Sequence, residues 1–221
     1  MNLILVAGHA AFKDQLRSCP AEPEKDDGWV LQSFQQGEPP YYIEHIQKGV
    51  ELLKETPDSL LLFSGGRTRK EAGHWSEAAS YKSLTEHFGY WGDPEQQLVA
   101  RVDLEEFARD SFQNLEYGLY RYYQLKGTYP EHVTVVGWKF KADRFDLHRQ
   151  ALGIPAKSFT YVGVNNPVDL VGALKGEERA LEQFRADPTG ARPPLSDKRT
   201  ERNPFYELSP YGQCPPIIMQ G

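Results

Sequence analysis

The sequence predicts an α/β protein with a Rossmann-like open, mostly parallel sheet and helices on both faces. Short apolar segments typical of strands alternate with longer segments whose apolar residues recur at helical spacing. Apolar residues run without a break through residues 3–7 and 60–63, which suits strands covered on both faces. Glycine or polar residues follow directly where four of the strands end, as expected for a sheet that binds a ligand at its carboxyl edge.

The strand segments are residues 3–7, 60–64, 97–102, 133–137 and 159–164. The helical segments are residues 42–55, 76–88, 110–126, 143–152 and 177–186. The helical pattern is strongest in residues 110–126, where Phe112, Leu115, Leu119 and Tyr122 share one face and Gly127 marks the end. This alternation predicts βαβ units.

Two segments fall outside the alternation. Residues 13–40 are rich in proline and glycine and too long for an ordinary connection, which predicts a lid or a surface excursion. Seven of the 16 prolines lie after Ala186. We therefore predict one domain over residues 1–186, followed by a Pro-rich extension over 187–221 that wraps the domain or is partly mobile. Tyr206, Tyr211, Ile217 and Ile218 favour docking of this tail.

Composition restricts the classes of function. A chain of 221 residues with 39% hydrophobic and 25% charged residues suits a packed core. The net charge of -6 and the lack of a long basic run argue against nucleic-acid binding. No apolar run approaches the ~20 residues of a membrane span, and residues 1–12 lack the basic leader of a signal peptide, so we expect a cytoplasmic protein. Cys19 and Cys214 have no metal-binding spacing, which predicts no metal site and favours two free thiols over the alternative of a disulfide between their segments.

The carboxyl ends of the strands carry the candidate site. Gly8 and His9 follow the first strand, residues 64–68 the second, Glu105 the third and residues 137–144 the fourth. The Gly65–Gly66 pair permits a sharp turn whose N–H groups are exposed to an anion. A turn that simply ends the strand is an equally good interpretation.

Each polar candidate has a structural alternative. His9 is an acid/base group, a phosphate ligand or a loop-stabilising histidine. Glu77, in the first turn of a helix, compensates the helix dipole or binds a hydroxyl or amine of a ligand. Capping of the next helix explains Asp110 or Ser111 but leaves Glu105, Arg109 and Asn114 without a local role.

Lys141 and Arg144 flank a helix start, where cations are unfavourable for the macrodipole. This placement predicts a bound anion or a carboxylate partner such as Glu105. The chain lacks the G-x-S-x-G, Walker A and G-x-G-x-x-G motifs, so the familiar hydrolase, mononucleotide and dinucleotide signatures are missing.

Together these segments resemble the ElyC/SanA/YdcF family, domain of unknown function 218, over residues 3–162, roughly three quarters of the chain. The motifs that carry the resemblance are Gly8, the Leu62-Phe63-Ser64-Gly65-Gly66 strand end, Ser76-Glu77-Ala78, Glu105 with Asp110-Ser111 and Asn114, and Val135-Val136-Gly137 leading into Phe140, Lys141 and Arg144. Lys141 stands where family members often have histidine, and Ser111 where they often have threonine. The Phe-Lys-x-x-Arg-Phe version looks like a eukaryotic, fungal branch. The resemblance implies a Rossmann-like fold; bacterial members are linked to envelope integrity, one is described as binding S-adenosylmethionine, and no established reaction transfers.

We therefore expect a domain that binds a small anionic or nucleotide-like ligand, with S-adenosylmethionine as one candidate and the reaction unassigned. Glu105 and His9 are the candidate acid/base residues. The expected ligand-binding residues are Gly8, Ser64, Gly65, Gly66, Arg67, Thr68, Glu77, Ser111, Asn114, Lys141 and Arg144. Two alternatives remain: a hydrolase or transferase acting on a phosphate- or sugar-containing substrate, with Glu105 or His9 as general base, and a non-enzymatic protein that binds a protein partner through its tail and long insertion.

Overall fold

The computed structural model describes residues 1–93 and 97–219. Its central sheet contains β1 (Asn2–Ala7), β4 (Ser59–Ser64), β5 (Val102–Glu105), β6 (Val133–Gly137) and β7 (Phe159–Gly163). These strands are parallel and lie in the order β5–β4–β1–β6–β7. Two short strands, β2 (Ala11–Phe12) and β3 (Trp29–Val30), form a separate antiparallel ribbon. The predicted Rossmann-like α/β class is confirmed.

The sheet is buried on both faces because its strands are apolar at successive positions. Ile4 and Val6 face one hydrophobic core. Leu3 and Leu5 face the other, since successive side chains of a strand point to opposite sides. The unbroken apolar runs of β1 and β4 in the sequence are the direct consequence.

Helices cover both faces. The six helices of the described residues are α1 (Pro39–Glu55), α2 (Glu77–His87), α3 (Ser111–Lys126), α4 (Ala142–Ala151), α5 (Leu170–Ala186) and α6 (Leu195–Glu201). Helices α1 and α2 pack on the face of Val6, and α3 and α4 on the face of Leu5. No helix in the described part of the chain is long and apolar enough to cross a membrane.

Three boundaries differ from the sequence prediction. The third strand lies at Val102–Glu105, because the residues before it form a 3-10 helix and only 102–105 pair with β4. Helix α1 begins earlier, at Pro39, where proline suits the first turn. Helix α5 begins at Leu170 rather than residue 177; Asp169 caps it by accepting the Gly172 N–H at 2.9 Å.

The segment 13–40 runs over the surface and is attached to the domain through a few buried side chains. Trp29 is buried and contacts Phe12 and Tyr42 with ring centroids 4.7 and 5.7 Å apart. Its indole N–H donates to the Pro23 carbonyl at 2.8 Å. The buried Trp29 therefore anchors this segment to the domain, while many of its other residues are exposed.

The tail after residue 186 docks on the domain and contains α6, which the sequence prediction missed. Leu195 is buried with Phe112 and Phe184, and Met219 packs into the core below α3. Of the residues expected to dock, Tyr211 is buried, whereas Tyr206 and Ile218 are exposed. Cys19 and Cys214 are both free thiols, as predicted.

Candidate functional site

A cavity of about 510 Å³ lies at the carboxyl ends of the strands. Strand β1 lies between β4 and β6, so the chain connections diverge to opposite faces beside it. Such a switch point leaves a crevice, which is where open α/β sheets bind ligands. Residues that follow β1, β4, β5 and β6 all contribute to the wall, in agreement with the predicted convergence of strand ends.

The cavity brings together eight of the predicted site residues, and they line it directly. These are Gly8, His9, Thr68, Glu77, Ser111, Asn114, Lys141 and Arg144. The other five predicted residues lie outside the lining: Ser64, Gly65, Gly66, Arg67 and Glu105. The contacts of these five residues explain why.

The Ser-Gly-Gly turn is a packing element. The Gly65 N–H donates to the Glu105 carbonyl at 2.9 Å, and the Gly66 N–H donates to the Ala108 carbonyl at 2.8 Å. A Cβ atom on Gly65 would lie 2.6 Å from Glu77 Oε2, so only glycine fits there. Because both N–H groups are already paired, they are not available to an anion. The geometry favours the interpretation as a strand-ending turn.

Arg67 is directed toward the tail. Its Nε donates to Glu207 Oε1 at 2.8 Å, and its Nη2 contacts the same oxygen. Its charge is thereby paired outside the cavity. The role of Arg67 in this structure is to hold residues 203–211 against the domain.

Glu105 belongs to a buried hydrogen-bond network outside the cavity lining. Its fully buried carboxylate accepts hydrogen bonds from Ser64 Oγ at 2.6 Å, from the Phe107 N–H at 2.7 Å and from Tyr211 Oη at 3.3 Å. Asn114 in turn donates to Ser64 Oγ at 2.9 Å. Burial raises the pKa of Glu105 to about 7. The carboxylate thus links β4, β5 and the tail, and its acceptor oxygens are occupied by the protein itself.

His9 is placed in the cavity wall by the end of β1. Its ring stacks on Trp138 at 5.6 Å and meets His45 edge-on at 5.4 Å. Its Nε2 is buried and has no hydrogen-bond partner among the described residues. Burial, and then the charge of Lys141, lower the pKa of His9 well below its usual value, so the ring is neutral. A neutral, unpartnered ring nitrogen suits a hydrogen bond to a ligand.

Glu77 reaches the same cavity from the first turn of α2. Thr68 Oγ1 donates to Glu77 Oε1 at 2.7 Å. Burial raises the pKa of Glu77. A Cβ atom on Gly8 would lie 2.6 Å from Glu77 Cβ, so the glycine after β1 makes room for this side chain.

Lys141 and Arg144 supply positive charge where α4 begins. The Lys141 ammonium lies 5.7 Å from the Phe140 ring centroid and forms no ion pair within residues 1–93 and 97–219. Burial, together with Arg144, lowers its pKa. Arg144 Nη2 donates to Glu177 Oε2 at 2.6 Å. The carboxylate partner of Arg144 is therefore Glu177 on α5, and the expected pairing with Glu105 is not formed.

The structure adds charged residues that sequence reasoning missed. The additional cations in the lining are Arg69, Lys198 and Arg202, together with Arg109, which the sequence had left without a local role. Lys198 and Arg202 come from α6 and the residue after it, so no strand-end pattern could have indicated them. The missed acids are Glu38, whose pKa is raised by burial, Asp169 and Glu177.

The charge balance of the cavity is opposite to that of the chain. Its lining has six cations against five acids, a net charge of +1, whereas the whole chain carries -6. All five of those acids have partners. Asp110 pairs with Arg199 at 2.5 Å, Asp169 caps α5, and Glu177 pairs with Arg144. Glu38 accepts a hydrogen bond from Tyr42, and Glu77 accepts one from Thr68. Helices α2, α3, α4 and α5 all begin at the cavity, and their N-termini add positive partial charge.

One further pair lies at the start of α3. Ser111 lines the cavity, and its Oγ lies 2.8 Å from Nε2 of His148, a fully buried residue of α4. The sequence placed His148 inside a helix, but nothing along the chain indicated its partner.

The fold and the cavity define a Rossmann-like α/β protein with a cationic cleft at the switch point of its sheet. The sequence is similar to the uncharacterized protein YOR238W of Saccharomyces cerevisiae, with 29% identity over 267 aligned positions that cover 96% of this chain and 87% of the yeast protein. A fungal relative agrees with the fungal character of the sequence motif. No protein-family model and no solved structure matches the chain.

Proposed function

We propose that the protein binds a small anionic, nucleotide-like ligand in the cavity at the carboxyl edge of the sheet. The observation that carries this proposal is the half-buried Lys141 side chain, which lines the cavity among other cations and has no ion-pair partner among the described residues. An anion beside it would stabilise the charged form of Lys141, whose pKa is lowered to about 7. The helix N-termini that surround the cavity favour the same sign of ligand charge.

The side chains that line the cavity predict a ligand with three chemically different parts. Lys141 and Arg144 would face its anionic group. Glu77 and the unpartnered nitrogen of His9 would accept or donate to hydroxyl or amino groups. Phe140, a half-buried residue of the lining, would pack on a flat apolar moiety such as a base. S-adenosylmethionine, with its adenosine and charged amino-acid portion, is one ligand of this kind.

A hydrolase or transferase acting on a phosphate- or sugar-containing substrate is the second candidate. The observation that favours it is the position of the neutral His9 ring in the cavity wall, where it could take up a proton. Glu105 is left out of this scheme because its oxygens are occupied by Ser64, Phe107 and Tyr211. A turnover that survives His9→Gln would remove this candidate.

The test is a thermal-shift panel of S-adenosylmethionine, ATP, NAD, UDP-glucose, ribose 5-phosphate and inorganic phosphate. A ligand at ~100 times its dissociation constant stabilises the folded state by about 2.7 kcal/mol. For a chain of this size the midpoint should rise by roughly 5–10 °C. Lys141→Ala should abolish the shift.

Lys157→Ala is the matched control, because Lys157 is exposed and precedes β7 at the opposite edge of the sheet. Equal shifts in both variants would contradict the proposed site. A panel without any shift would contradict the proposed ligand class and favour a protein that acts through a protein partner.

A further inference from the structure

We propose that Ser111 is a directed hydroxyl donor to a phosphoryl oxygen of the ligand and that buried His148 is the positioning residue that fixes this direction. The inference rests on the proposed function, because it assigns one donor within the same cavity. It also assigns the chemical class of the anionic group.

The geometry at the start of α3 isolates one contact. Ser111 is the first residue of α3, and its side chain lines the cavity. Its Oγ lies 2.8 Å from His148 Nε2. The helix cap is supplied by Asp110, whose Oδ1 accepts the Gln113 N–H at 2.9 Å, so Ser111 is not needed for capping.

His148 has a single polar contact in the part of the chain that the structure describes. Its ring is fully buried between Phe145, at 5.6 Å, and Phe184, at 4.5 Å. Its Nδ1 is buried and has no partner within residues 1–93 and 97–219. Burial, with Arg144 and Arg199 nearby, lowers the pKa of His148 well below its usual value, so the ring is neutral and has one N–H group.

The position of that hydrogen follows from the cost of unpaired groups. With the hydrogen on Nδ1, a buried N–H donor would have no acceptor, which is the less tolerated arrangement in protein interiors. With the hydrogen on Nε2, the unpaired Nδ1 is only a bare acceptor. The favoured tautomer therefore donates from Nε2 to Ser111 Oγ.

This tautomer determines what Ser111 does. A hydroxyl that accepts a hydrogen bond from His148 keeps its own hydrogen for a different partner, and the cavity is where that side chain is open. The expected partner is an acceptor. The same tautomer rules out His148 as the base for a nucleophilic serine, because its Nε2 carries the proton and no carboxylate lies on Nδ1 to stabilise an imidazolium.

A phosphoryl group fits this position best. Its oxygens are acceptors, and they can be met from several directions by Ser111, by the Lys141 ammonium and by the Arg144 guanidinium. Ser111 and Arg144 belong to the first turns of α3 and α4, so two helix N-termini also face this corner of the cavity.

Two measurements test the inference. Nitrogen-15 NMR of the His148 ring should show a protonated Nε2 and a bare Nδ1 in the protein without added ligand. Calorimetric titration should show that Ser111→Ala weakens the binding of ribose 5-phosphate by about tenfold, whereas Ser111→Thr, which keeps a hydroxyl, retains most of the affinity. Binding of ribose and of ribonate should be unchanged in both variants.

Each outcome is decisive. A protonated Nδ1, an imidazolium near neutral pH, or equal losses for ribose and ribose 5-phosphate would overturn the role of Ser111 and His148. Binding of ribonate in preference to ribose 5-phosphate would overturn the phosphoryl assignment and leave the proposed cavity standing. Absence of binding by all three sugars together with a flat thermal-shift panel would overturn the proposed function, while the NMR result would still report the tautomer.

Discussion

Two ionisable residues at the strand ends show how position decides a role. Glu105 is the last residue of β5 and Lys141 follows β6, and desolvation shifts the pKa of each toward the neutral form. Glu105 is surrounded by donors from the protein, whereas the Lys141 ammonium faces a cavity without an ion-pair partner in the described residues. Glu105 therefore connects parts of the fold, and Lys141 is the residue that we assign to ligand binding.

The pH dependence of stability tests the role of Glu105. Its folded pKa of about 7 lies above the ordinary value of 4.5, so between these pH values the folded state retains a proton that the unfolded state has lost. The stabilisation of the folded state by this proton is complete below pH 4.5 and is lost as the pH rises through 7. Its size is on the order of 3 kcal/mol.

Glu105→Gln cannot ionise, so its free energy of unfolding should vary less between pH 5 and pH 8 than that of the wild type. Urea unfolding at one-unit pH intervals measures the difference, and Glu178→Gln, at an exposed position, is the control. Parallel curves for the wild type and Glu105→Gln would show that this carboxyl does not titrate in the folded protein between those values.

At the scale of elements, the sequence pattern was sufficient to predict a strand or helix where the element's own residues carry the apolar pattern. The apolar runs of β1 and β4 and the helical repeat of α3 each contain their own signal, and the structure has them within one or two residues of the prediction. Helix α5 was placed too late because Gly172 and Gly176 weaken its helical pattern. Strand β5 was misplaced because only pairing with β4 defines its four residues.

The same distinction holds for the site. Residues that follow strands, such as His9 and Lys141, could be predicted because the parallel sheet gathers them at one edge. Glu177, Lys198 and Arg202 could not, because they reach the cavity through tertiary contacts of α5 and α6. The Ser-Gly-Gly turn was over-interpreted, since the partners of its N–H groups are the remote carbonyls of Glu105 and Ala108.

Helix α5 should be the least protected of the long helices. It buries only Glu177 and Phe184 among 17 residues, whereas α3 buries seven residues among 16. Local opening requires little free energy where few contacts are lost. In hydrogen–deuterium exchange, amides of α5 should therefore exchange faster than those of α3.

Ligand binding should slow exchange in α5, because Ala173, Gly176 and Ala180 line the cavity. The measurement compares the two helices with and without a compound that is positive in the thermal-shift panel. Equal protection of α5 and α3 without ligand would contradict the expected weakness of α5, and unchanged exchange on binding would mean that the ligand does not contact it.

For the whole molecule, the tail and the domain form one packed unit. Leu195 packs with Phe112 and Phe184, and Tyr211 Oη donates a hydrogen bond to Glu105. The tail also supplies Lys198 and Arg202 to the cavity. Stability and ligand binding should therefore both depend on residues 187–221, although the prolines of this segment give it the composition of a linker.

Removal of residues 187–221 should lower the melting temperature strongly or abolish cooperative unfolding, because it opens the core at Phe112 and leaves Glu105 without Tyr211.

Two full-length variants separate the contribution of the tail to stability from its contribution to ligand binding. Leu195→Ala should cost about 2–4 kcal/mol in urea unfolding by leaving a cavity. Arg202→Ala should leave stability nearly unchanged and weaken anion binding, since Arg202 has one hydrogen bond, to the Arg109 carbonyl at 2.9 Å, among the residues described. A truncated protein that melts like the full chain and still binds the ligand would show that the tail is an accessory segment, and its exposed Tyr206 and Leu208 would then be the place to look for a protein partner.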